Sequence, residues 1–80
     1  MNIQLIQGEF NSNDAILLIS QMVQIKIKYH ENKINILSNE EDIKSREAKI
    51  KRLQKELFDL REHISSKNNN VKLESLIKIG

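Results

Sequence analysis

Eighty residues with no cysteine, no proline and two glycines make one small domain without disulfides or thiolate metal sites, built from long elements with few breakers. A chain this short buries a marginal core and usually needs a staple, of which self-association is the one left open. Thirteen basic against 11 acidic side chains leave a net charge of +2, too small a surplus to point to nucleic acid. A hydrophobic share of 39% beside 30% charged residues suits an ordered helical chain rather than a disordered one. The longest apolar run, residues 15–19, is far short of the roughly 20 residues that span a bilayer. The start of the chain lacks the basic, apolar and small-residue regions of a signal peptide. A cytoplasmic protein that does not enter membranes is therefore expected.

In chain order, "NIQLIQGEF" alternates loosely and predicts a strand over about residues 2–7, interrupted at Gly8. "NSNDAILL" follows, in which Ser12 or Asn13 is the expected helix cap and Asp14 puts negative charge in the first turn. "VQIKIKY" alternates at period two, as a strand would. Over a longer window, an advance of about 100° per residue gathers Ser20, Gln21, Gln24, Lys28, Glu31, Asn32 and Asn35 into one polar arc in which only Leu17 intrudes. The arc decides for a helix over residues 14–37.

Ser38 and Glu41 have capping-box spacing, so a second helix is predicted over residues 39–66, with Glu40, Glu41 and Asp42 in its first turn. Ile43, Ile50, Leu53, Leu57, Leu60 and Ile64 form an a/d seam whose one polar d position is Arg46. "SSKNNN" ends that helix, and "VKLESLIKI", with Val71, Leu73, Ile77 and Ile79 on one face, predicts a strand over residues 71–79.

So short a link between helices predicts an antiparallel hairpin. Stepping outward from the turn sets Ile34 against Ile43, His30 against Arg46, Ile27 against Ile50, Val23 against Leu53, Ile19 against Leu57 and Ile16 against Leu60. The expected fold is mainly α: a coiled-coil-like two-helix hairpin flanked by short terminal strands, one domain over residues 1–80. Leu18, Met22, Ile25, Tyr29 and Ile36 remain on a second apolar strip of the first helix. Monomers avoid leaving such a strip bare. Either the terminal strands cover it or a partner helix does, and a symmetric homodimer through these five residues is the expectation.

"QIKIKYHENKI" then reads in two ways. Lys26, Lys28, His30 and Lys33 are polar trim, with Glu47 pairing to Lys33 or His30. Alternatively they join Arg46, Lys49 and the second helix in a basic face for phosphate backbone. Residues 44–61 hold seven basic and three acidic side chains, but only a stripe on one face would count. Lys51 and Lys55 align, while Lys49 and Arg52 point elsewhere. Lys44, Lys51, Arg52 and Lys55 are the candidate nucleic-acid contacts, with a protein partner the other option. No nucleophile constellation, glycine-rich phosphate loop, paired carboxylates or carboxylate–histidine spacing is present. No enzyme activity, cofactor or metal is expected.

The segments "IQGEF" and "DAILLISQMVQIKIKYHENKI" resemble a small group of bacterial proteins in which a strand ending in Gly-x-Phe precedes a helix carrying Lys-Ile-x-(aromatic)-His. The matching positions are Gly8, Phe10, Ala15, Lys26, Ile27, Tyr29 and His30. This resemblance, over the first half of the chain, implies a helical hairpin with a short strand and supplies no activity. In architecture alone, the predicted chain is similar to the small dimeric helical-hairpin RNA-binding regulators of plasmid copy number.

Overall fold

The computed structural model describes residues 1–36, 39–65 and 70–80. Its elements are β1 (Asn2–Phe10), α1 (Ser12–Ile36), α2 (Glu40–Ser65) and β2 (Val71–Lys78). The two helices pack against each other, and the two strands form an antiparallel sheet joining the ends of the same chain. The predicted order of elements is the one observed. Ser38, the "SKNN" part of the predicted terminator after Ser65, and the predicted helix ends at 37 and 66 lie outside the described residues.

β1 runs three residues further than the sequence suggested. Gly8 does not interrupt it, because with φ at 141° it keeps the strand extended in a region open only to a residue without a Cβ. Pairing is in step from Ile6 opposite Ser75 to Phe10 opposite Val71. Gln4 then faces Leu76, so Leu5 is the extra residue of a bulge. The Gln4 side-chain amide donates to the carbonyls of Ile6 (2.9 Å) and Ser75 (3.2 Å) across that irregularity. Beyond the last pair, the N-terminal ammonium donates to Ile79 O at 2.9 Å and Ile79 N to Met1 O at 2.7 Å. Both chain ends are thereby tied down.

The helix starts are set by asparagines. Asn11, rather than Ser12 or Asn13, caps α1: its Oδ1 accepts from Asp14 N at 2.8 Å and its carbonyl from Ala15 N at 2.9 Å. Asp14 Oδ2 in turn accepts from Asn11 Nδ2 at 3.1 Å, a reciprocal pair that only the residue three before Asp14 can reach. Asn39 plays the same part for α2, with Oδ1 accepting from Glu41 N at 2.9 Å and the carbonyl from Ile43 N at 3.1 Å.

The core lies along the hairpin seam. Ala15, Ile27, Leu53, Leu57 and Ile64 are buried, and the remaining seam positions, from Ile16, Ile19, Val23 and Ile34 to Ile43, Ile50 and Leu60, are half-buried. Each fully buried aliphatic side chain contributes roughly 1.5–3 kcal/mol, so this seam is the main apolar stabilisation of a single chain. The sheet lies beside the first half of α1, where Ile6 and Leu73 border the same cleft as Ile19, Met22 and Val23. No helix among the described residues is long and apolar enough to cross a membrane.

Candidate functional site

The predicted register is met at its polar step. Arg46 Nη1 lies 2.9 Å from His30 Nδ1, and a guanidinium can only donate. Nδ1 is therefore the acceptor, and the neutral ring carries its proton on Nε2. Among the described residues, His30 is the one buried polar side chain, 7% exposed. Burial holds its pKa below the usual histidine value, and the positive charges of Arg46, Lys49 and Lys26 push it the same way. Glu47, expected from the sequence to pair with Lys33 or His30, is exposed, and the partner of His30 is Arg46 instead. The arginine supplies the longer, more rigid donor from the facing seam position, and the carboxylate stays in water.

The neighbouring aromatic is tied into the same cluster. The Tyr29 ring meets the His30 ring edge-on, with centroids 5.5 Å apart at 69°. Lys33 Nζ and the Arg46 guanidinium each sit 5.7 Å from the Tyr29 centroid, within the range of a cation–π contact.

Beside this polar step, Lys26 and His30 of α1 and Lys49, Arg52 and Leu53 of α2 line a cleft of about 280 Å³. It arises from the register: Lys49 and Arg52 are rotated from the outer face of α2 toward α1, and Lys26 occupies the matching edge of α1. Every ionisable group lining it is a base. Arg52 also lies 4.0 Å from Glu56, one helical turn on, in an exposed pair of a kind that contributes little in water. Asp42 borders an adjoining hollow with Arg46 and Lys49. On the other side, Lys26 and Leu53 also line the apolar cleft of about 290 Å³ under the sheet, which Glu74 borders.

The other expected site residues separate. Lys44, Lys51 and Lys55 are exposed and fall within about 40° of each other on the side of α2 away from the seam. Arg52 is on the flank and belongs to the cleft instead. Of the second apolar strip, Leu18 and Met22 are half-buried, Met22 at the cleft shared with the sheet. Ile25, Tyr29 and Ile36 are 72%, 53% and 74% exposed. The strands thus reach only the first half of the strip. Among the described residues no group of three or more histidine, cysteine, aspartate or glutamate side chains is placed to hold a metal ion. No protein-family model, curated protein or solved structure matches this chain.

Proposed function

We propose that the chain is a self-associating interaction module of the cytoplasm, without enzymatic activity, that dimerises through the second strip of α1 and acts by binding another macromolecule. The observation that carries this is surface area. The chain exposes 6391 Å², whereas a folded monomer of 9.4 kDa is expected to expose about 5,000 Å². The surplus of about 1,400 Å² is more than the roughly 800 Å² per partner of a standard interface, and falls in the range of homodimers. The radius of gyration, 15.2 Å, agrees, since about 12 Å is usual for this length.

The strip supplies the apolar groups that such an interface needs. Ile25 and Ile36 are more than two-thirds exposed, and Leu18, Met22 and Tyr29 continue the line. A two-fold axis across α1 would lay the strip against its own copy, as isologous contacts require. Light scattering on the purified chain tests this. A mass of two chains that persists across salt concentrations supports it, and a mass of one chain refutes it. Nucleic-acid binding by Lys44, Lys51 and Lys55 is the competing reading, and it predicts a steep loss of affinity with salt. It draws less support, because three lysines on one turn-spaced face leave Arg52 outside the stripe.

A further inference from the structure

We propose that the cleft between Lys26, His30, Lys49 and Arg52 binds the phosphate head of an apolar monoester, with His30 Nε2–H as its central neutral donor. The phosphate end of the site shares no residue with the strip argued above to dimerise, whereas its apolar wall includes Met22 of that strip.

Three observations converge. First, the cleft is lined by three cations and one histidine, with Leu53 as its apolar wall and no carboxylate. Second, the Arg46 contact fixes Nδ1 of His30 as acceptor and so makes Nε2 a donor. Among the described residues Nε2 has no hydrogen-bond partner, yet it is not a sealed unsatisfied atom. A histidine nine-tenths buried with a free donor beside a cleft is poised for an acceptor from outside. Third, Lys26 and Leu53 are shared with the neighbouring apolar cleft, whose walls include Ile6, Met22 and Leu73. A phosphate on the lysines and arginine would point its ester group along that shared wall. Oxyanion recognition by several charged donors around a neutral one is favourable because charge-assisted bonds are the strong ones, and the arginine's weak bond to Glu56 is easily exchanged.

The groups around His30 are Lys26 and Tyr29 from α1, and Arg46, Lys49 and Arg52 from α2, with Lys33 over the Tyr29 ring. From the sheet, Glu74 reaches only the adjoining cleft. A bound dianion would offset the positive charges that now disfavour protonation, so the titration of His30 is a direct reporter of occupancy.

The experiment follows the His30 ring by NMR through a pH titration of the whole chain, with inorganic phosphate, with monooctyl phosphate below its micelle concentration, or with chloride at matched ionic strength. A saturable rise in the His30 pKa with both phosphates, but not with chloride, is expected, and octyl phosphate should bind at least tenfold more tightly than phosphate. Lys49→Ala, an exposed change that leaves the seam intact, should weaken both roughly tenfold. Equal shifts with chloride would mean screening alone and overturn the site, as would no shift at all. Equal affinity for the two phosphates would overturn the apolar part and confine the site to a free oxyanion.

Discussion

The two halves of α1 are built from similar residues and end in different surroundings. In the first half, Ala15 is completely buried, and Ile19, Met22 and Val23 lie between the facing helix and the sheet. In the second, Ile27 and His30 are still buried against α2, but the opposite flank, Ile25, Tyr29 and Ile36, faces outward. The sheet makes the difference: it borders the first half of the 25-residue helix, and beyond it the apolar flank has no cover among the described residues. Covered and uncovered apolar residues should therefore answer differently to mutation, one set in the stability of the fold and the other in its assembly.

The largest expected effect is in the covered seam. Leu57→Ala, which empties a buried position, should destabilise by about 2–5 kcal/mol, whereas Ile25→Ala should change the stability of a single chain by no more than about 0.5 kcal/mol. Urea unfolding at low protein concentration compares them, and equal losses would erase the distinction between the halves. Next is Gly8→Ala, which forces a Cβ onto a backbone at φ 141° and should cost on the order of 1–3 kcal/mol. The strain lies in the backbone alone, since the nearest neighbour of that Cβ, a Phe10 ring carbon, is a comfortable 4.0 Å away. Asn11→Ala and Asn39→Ala should each cost about 1 kcal/mol through loss of a cap, while Asn13→Ala should cost almost nothing. A thermal melt in which Asn13→Ala is the worse variant would contradict the assigned cap.

The subtlest effect is with pH. His30 has a folded pKa below its ordinary value of 6.5, so the unfolded chain takes up the proton first. The stability tied to the neutral ring is whole above about 6.5, declines as the pH falls from there through the folded pKa, and then levels off. Protonation would also place an N–H where Nδ1 now accepts from Arg46. The acid-side slope of unfolding free energy should flatten in His30→Gln, and an unchanged slope would mean that other groups cause it.

Much of the fold was legible because the seam repeats. Heptad spacing in α2 and the polar arc in α1 each fixed a face, and stepping outward from the turn brought His30 to Arg46, the contact now seen at 2.9 Å. The misreadings arose where several residues of one chemistry stand side by side. In "FNSND" three neighbours carry cap-forming oxygens, and only the reciprocal bond with Asp14 selects Asn11. Gly8 was taken as a breaker, although glycine permits an extended positive φ as readily as a turn. The cationic cleft was half visible: Lys49 and Arg52 were read as pointing away from the Lys51 and Lys55 stripe, yet Arg52 was kept among the candidate nucleic-acid contacts and lines the cleft instead. Their meeting with Lys26 required the two flanks to be superposed in three dimensions. How far the sheet extends over α1 was not legible, because strand pairing within the chain leaves no periodic mark on the helix.

The most direct test of the central claim is the solution mass of Ile25→Lys beside that of the parent chain, by light scattering with helix content followed by circular dichroism. The account predicts a dimeric parent and a monomeric variant of unchanged helicity, since Ile25 lies on the exposed strip and not in the seam. A variant that keeps the parent's mass, or a parent that is already monomeric, would contradict it.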